Sequence, residues 1–168
     1  MKLTSTLVQT SCDSPLGKIT LAATPLGLAG VWFEGQKHGP VDIGMPARWP
    51  EAPEHPVLKL AVQQLKSYFA GERTGFDLPL DLSAGTLFQQ AVWQALLAIP
   101  RGATCSYGTV SAGLGRPAAV RAVGAAIGRN PVSIIVPCHR VIGSTGALTG
   151  YAGGLARKTA LLELEGAL

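Results

Sequence analysis

The sequence predicts two unlike halves: a small antiparallel α/β unit over residues 1–80, then a mostly helical unit containing a helix-turn-helix over residues 81–168. Three observations predict this. Short apolar runs separated by Pro-Leu-Gly turns fill the first 34 residues, the mark of strands. From Thr86 onward the pattern changes to helix caps and 3.6-residue periodicity. Charge divides at the same place: residues 1–81 hold seven Lys/Arg and eight Asp/Glu (net −1), whereas residues 82–168 hold seven Lys/Arg and only Glu163 and Glu165 (net +5).

In the first half, STLVQTSC, GKITLAAT and GLAGVWFE read as a three-stranded antiparallel meander. Five prolines between Pro40 and Pro56 mark a surface loop. Leu58, Ala61, Val62, Leu65 and Phe69 then recur at helical spacing, and Gly71 ends that helix. The stretch TGFDLPLDLSAG is the expected connection to the second half.

There, Thr86 and Gln89 form a candidate capping box ahead of an apolar face of Phe88, Val92, Ala95, Leu96 and Ile99, stopped by Pro100. Ser106 is placed to cap a short helix that closes at Gly113 to Gly115. Pro117 is the expected first residue of the next helix, which runs to Gly128. That second helix, with Ala119, Ala122, Gly124 and Ala125, is thin and carries one charge, Arg121. It suits close approach to another surface, yet it offers almost nothing to read base edges in a major groove. Between Asp81 and Glu163 there is no carboxylate, so a polyanion, above all nucleic acid, is the partner that this half suggests.

No apolar run approaches the roughly 20 residues needed to span a bilayer. The segment Met1 to Ser11 lacks a signal-peptide core, so a cytoplasmic, non-membrane protein is expected. Three scattered cysteines, Cys12, Cys105 and Cys138, argue against a disulfide framework and fit a reducing compartment. With no CxxC pair, and with His38 and His55 far from any thiol, no metal site is expected. No cofactor motif is present either, so none is expected.

The chemistry concentrates at IIVPCHRVIG, residues 134–143. An apolar run delivers Cys138 beside His139 and Arg140, and a neighbouring imidazole or cation favours the thiolate, the nucleophilic form. On an extended segment, adjacent side chains point to opposite faces, so a Cys–His link would need a bridging water, and the imidazole would need an orienting acceptor. Glu163 and Glu165 are the only carboxylates on offer. A buried structural cysteine is the alternative reading.

From Thr86 to Gly166 the sequence resembles the O6-alkylguanine-DNA alkyltransferases (methylated-DNA–protein-cysteine methyltransferases). The resemblance is carried by FQQAVWQALLAIPRG, SYG, AVRAVG, RNP, PCHR and YAGG, in order and spacing. It extends more loosely over the first half, and so implies a ribonuclease H-like α/β roll there. It implies direct-reversal repair, with Cys138 as a single-use acceptor for the alkyl group of O6-alkylguanine in double-stranded DNA, and O4-alkylthymine as a further candidate substrate. His139 would act through a water as its base, and Glu165 would orient that histidine, leaving Glu163 an ordinary helix-face charge. Asn130 would tie the recognition helix to the cysteine loop. Tyr107 would donate a hydrogen bond to the base, the backbone carbonyls of Cys138 and Val141 would accept from its amino group, and Tyr151 would line the pocket. The thin helix, with Ala119, Arg121, Ala122 and Gly124, would enter the minor groove, Arg121 filling the space of a flipped-out nucleotide. The resemblance implies a monomer, with cooperative binding on DNA left open. One position departs from a common family pattern: Ala152 stands where some members carry a serine, so only its backbone N–H could serve the guanine oxygen, and the wall would admit bulkier groups.

Rival readings are weaker. A lesion-binding protein without transfer chemistry would lack Cys138. A sequence-specific regulator would want base-reading side chains on the second helix, and a cysteine peptidase would want a separate His and Asn.

Overall fold

The computed structural model describes residues 6–40 and 49–168. The first residue of the expected first strand, Ser5, and positions 41–48 of the proline-rich loop lie outside the described residues. The chain divides into two compact units, Met1–Ala84 with Pro131–Ser133, and Gly85–Asn130 with Ile134–Leu168.

The first unit is the predicted meander with its helix. Strands β1 (Val8–Cys12), β2 (Ile19–Thr24) and β3 (Gly27–Phe33) form an antiparallel sheet in the order β1-β2-β3. Ile19 faces both Cys12 and Phe33, and the register slips between Ala22 and Ala23. All seven residues of β3 are buried, so its apolar run is continuous and does not alternate. Helix α1 (Pro56–Phe69) packs on these strands through Leu58, Ala61 and Leu65, as the periodicity predicts. Val62 and Phe69 are only half-buried, and Gln64 and Tyr68 take their places on the inner face. Gln64 can be inside because its amide is satisfied twice: Nε2 donates to the Asp77 carbonyl at 2.9 Å and Oε1 accepts from the Asp77 N–H at 2.9 Å. The 74–85 connection stays with this unit, since Leu80 bridges Leu28 and the Thr24 hydroxyl donates to buried Asp81 at 2.5 Å. Residues 131–133 do the same from far along the chain, as Val31 donates to the Pro131 carbonyl at 2.9 Å and accepts from Ser133 at 3.1 Å.

The second unit is mostly helical. Helix α2 (Leu87–Leu96) begins at the predicted Thr86–Gln89 capping box, with both reciprocal hydrogen bonds formed. Its buried face is Val92, Trp93 and Leu96, with Trp93 displacing the expected Phe88 and Ala95. Trp93 lies against Gly85, where an added Cβ would fall 2.3 Å from the ring, and its Nε1 donates to the Ala126 carbonyl at 2.8 Å. Ser106 caps α3 (Tyr107–Gly113), accepting from the Thr109 N–H. Helix α4 (Val120–Gly128) starts later than expected, because Pro117 and Ala118 form a turn and Ala119 is the cap. Two short strands, β4 (Cys105–Ser106) and β5 (Val141–Ile142), pair in parallel, and α5 (Leu155–Leu164) ends the unit. Among the described residues no helix is long and apolar enough to cross a membrane.

Candidate active site

The ten residues from Pro131 to Arg140 are all buried. The run before Cys138 is not the extended segment that its β-branched residues suggest. It proceeds by turns, with Ile134 in the left-handed region at φ 73°. Pro137, at φ −82° and ψ 61°, makes a tight reversal in which the Cys138 N–H donates to the Val136 carbonyl at 2.8 Å. Residues 138–140 then form one 3-10 turn. The argument from opposite faces of a strand therefore does not apply, and both Cys138 and His139 point inward, at 6% and 0% exposure.

Pairing of Cys105 with Val141 and of Ser106 with Ile142 joins the exit of this turn to the start of α3. That pairing brings Tyr107 to the site. Asn130, just past α4 and buried, reaches the same loop: its Nδ2 donates to the Val136 carbonyl at 2.8 Å, and its side chain hydrogen-bonds the Cys138 sulfur. Helix α5 supplies the carboxylate. Glu165 is its C-cap, and Gly166, at φ 77°, closes a Schellman turn in which Gly166 donates to Glu163 and Ala167 to Leu162. Glu165 then meets His139 Nε2 at 3.0 Å and Arg140 through both oxygens, at 2.9 and 2.8 Å. Glu163 is exposed, as expected of a helix-face charge.

With Nε2 on a carboxylate that Arg140 already pairs, the imidazole carries its proton at Nε2 and presents the Nδ1 lone pair. Nδ1 is buried and, among the described residues, has no hydrogen-bond partner. Burial pushes the His139 pKa below its ordinary value against the pull of Glu165, the direction that favours the neutral ring. Burial pushes the Cys138 thiol up, opposed by the Asn130 hydrogen bond, the Lys158 charge and two backbone N–H groups. The resting thiol is thus protonated, in a setting built to accept the anion once the proton leaves.

Lys158 was missed. It is 0% exposed, and its ammonium donates to the carbonyls of Val141 (2.5 Å), Thr149 (3.0 Å) and Gly150 (3.2 Å). It also lies 6.0 Å over the Tyr107 ring. Burial lowers its pKa, and Cys138 opposes that. The available signal was spacing: Lys158, Leu161, Leu162 and Glu165 fall at i, i+3, i+4 and i+7, one inward face.

The remaining expected residues divide. The Tyr107 hydroxyl donates to the Thr149 carbonyl at 2.9 Å, so binding a base would require it to exchange that partner. The Val141 carbonyl already serves Lys158 and has its second lone pair to offer. Tyr151 and Ala152 are half-buried on the segment before α5. On α4, Arg121 and Ala122 are exposed with Ala125, whereas Gly124 turns inward, where a Cβ would come 3.7 Å from the Tyr107 ring. The buried stripe Val123, Ala126, Ile127 holds the helix down, so its outer face carries Val120, Ala122 and Ala125 together with Arg121 and, just past its end, Arg129.

Residues 87–167 match the family described as the 6-O-methylguanine DNA methyltransferase DNA-binding domain, and residues 7–82 match that enzyme's ribonuclease-like domain. The chain belongs to the methylated-DNA–protein-cysteine methyltransferase family. The enzyme of that name from Mycobacterium leprae is 52% identical over 155 residues, 92% of this chain and 90% of its own. That from Mycobacterium bovis is 52% identical over 153 residues, 91% and 88% of the two chains. The crystal structure of Mycobacterium tuberculosis OGT in complex with DNA superposes with a TM-score of 0.85 at 49% identity, covering 95% of this chain and 93% of that one. Membership makes this chain a DNA-repair methyltransferase of the DNA-binding kind, and the ribonuclease-like first domain accounts for the meander and α1.

Proposed function

We propose that this protein removes alkyl groups from O6 of guanine in double-stranded DNA by transferring them to Cys138, once per chain. The observation that carries the reading is Cys138 and His139 side by side in a buried turn, with Glu165 3.0 Å from His139 Nε2 and an Nδ1 lone pair that meets no hydrogen-bond partner among the described residues. The thiol proton passes to His139 Nδ1 through a water, and Glu165 holds the ring's other nitrogen. The thiolate attacks the alkyl carbon, the carbon–sulfur bond forms as the carbon–oxygen bond breaks, and the electron pair leaves with the guanine. The proton taken from the thiol returns to the guanine ring. Tyr107, on giving up Thr149, donates to the base as its charge grows. The carbonyls of Cys138 and Val141 accept from the amino group, and the half-buried Tyr151 and Ala152 form the wall. Lacking a hydroxyl, Ala152 leaves its N–H as the donor to the oxygen and leaves room for larger alkyl groups and for O4-alkylthymine.

A thiol this deeply buried cannot reach a stacked base, so the nucleotide is flipped out of the duplex. The small outer face of α4, at Ala119 and Ala122, enters the minor groove with Gly124 on the side toward Tyr107, and Arg121 replaces the flipped base. Asn130 couples that helix to the cysteine turn. The product is a thioether with no second nucleophile placed to remove it among the described residues, so transfer is irreversible. A monomer working in the reducing cytoplasm suffices. Incubation with DNA carrying labelled O6-methylguanine, followed by peptide mapping, tests the reading. Label on the peptide containing Cys138 is expected, with Cys138→Ala binding the DNA and taking no label. Label on Cys12 or Cys105 would overturn it.

A further inference from the structure

Arg140 ends the Pro-Cys-His-Arg motif, and the transfer steps above leave it idle. Its side chain is 10% exposed. Nε donates to Glu165 Oε1 at 2.9 Å, Nη2 to Oε2 at 2.8 Å and Nη1 to the Ile99 carbonyl at 2.6 Å. The same Oε2 meets His139 Nε2, and neither of those two side chains has any exposure. The guanidinium keeps its charge in any protein, so the Arg140–Glu165 pair is complete without the imidazole. A proton added to His139 would leave this closed cluster with a net positive charge. Without Arg140, the Glu165 carboxylate would lose its guanidinium partner, and imidazolium–carboxylate would be the neutral arrangement that burial favours. An imidazolium has no lone pair for a thiol proton.

We propose that Arg140 is a positioning residue for alkyl transfer: by holding Glu165 in a bidentate ion pair it keeps His139 uncharged, with its proton on Nε2 and its lone pair on Nδ1. The proposal rests on His139 serving as the base for Cys138. Among the described residues, the charged groups that act on this ring are Glu165 and Lys158 from α5 and Arg140 from its own turn; Cys138, its neighbour in that turn, is acted on by Lys158 and in turn acts on Tyr107 of α3. Burial is the largest influence lowering the His139 pKa; Glu165 raises it, and Arg140 and Lys158 lower it further, the directions that the charge count gives.

Nitrogen-15 NMR of histidine-labelled protein without DNA reads both protonation and tautomer. In the unaltered protein at pH 7, His139 should be neutral with its proton on Nε2. In Arg140→Met it should be an imidazolium, its titration raised by at least about one pH unit, and the acid limb of the alkylation pH–rate profile should rise with it. Arg140→Lys keeps the charge and should restore a neutral ring and most of that profile. Arg140→Met combined with Glu165→Gln removes both charges and should also return the ring to neutral. A charged His139 at pH 7 in the unaltered protein, or a neutral one in folded Arg140→Met, would overturn the proposal. If Arg140→Met does not fold, the unaltered protein and the double variant decide, since a neutral ring is required in both. These spectra need no reaction: label missing from Cys138 while they follow this pattern sinks the functional reading alone.

Discussion

Glu165→Gln separates the buried ion pair from the shape that surrounds it. Glutamine fills the same space and still offers one oxygen, but it removes the only negative charge paired with Arg140 among the described residues. Three of its side-chain contacts, at 2.8, 2.9 and 3.0 Å, lose their charged acceptor: with oxygen kept at the Oε2 position two remain as neutral hydrogen bonds, and Arg140 Nε meets an amide donor. Stranding one member of a buried pair costs about 3–5 kcal/mol. Arg140 keeps the Ile99 carbonyl and slight solvent contact, so the lower end applies, about 3 kcal/mol. Set against a typical total of roughly 5–15 kcal/mol, the variant remains folded at 25 °C. Urea unfolding followed by circular dichroism should show a lower midpoint at unchanged slope. Adding Arg140→Met should recover most of the loss, because a neutral pair of similar volume strands no charge. A loss under about 1 kcal/mol for Glu165→Gln, the range of exposed pairs, would refute the claim that this ion pair is closed to solvent.

Three further outcomes follow from particular contacts. Arg121→Ala should slow repair of duplex DNA well beyond its effect on the free base O6-benzylguanine, which needs no flipping; equal losses in the two rate measurements would leave Arg121 a structural residue. Gly85→Ala would drive a methyl into the Trp93 ring at 2.3 Å and should lower stability by about 1–3 kcal/mol, measured by urea unfolding, with a change in tryptophan fluorescence as the Trp93–Ala126 hydrogen bond shifts. The folded-state pKa of His139 lies below its ordinary 6.5, so the unfolded chain takes up that proton first. The stability it contributes is therefore present above pH 6.5 and lost as pH falls through the folded value, and His139→Asn should flatten that part of the urea-midpoint profile.

Local signals in the sequence carried far. Thr86 with Gln89, Ser106 and Gly71 each act within a few residues, and each ends or begins a helix as expected. Cys138 and His139 were legible because motif and chemistry coincide in adjacent positions. What stayed hidden depends on backbone paths that bring distant segments together. Lys158 is held by three carbonyls, groups that every residue owns and no sequence marks. Trp93 outranks Phe88 as a core residue because Gly85 leaves room for its ring. Pro117 misled by one turn, since a proline that suits a first helical position suits the preceding turn equally well. The β-branched run before Cys138 misled more deeply. Propensity favours a strand there, yet residues 131–133 are committed to the first unit's sheet, and the chain must reverse within the next few residues to deliver the cysteine.

Stoichiometry decides whether Cys138 is a single-use acceptor. With DNA containing labelled O6-methylguanine in large excess, methyl transfer followed over time should rise and then stop at about one group per protein chain, because in the proposed mechanism an alkylated Cys138 would be a thioether, a poor leaving group. Transfer that continues past one equivalent without added reagents would contradict the account, since it would demand a route for freeing Cys138 that the buried turn at 138–140 does not contain.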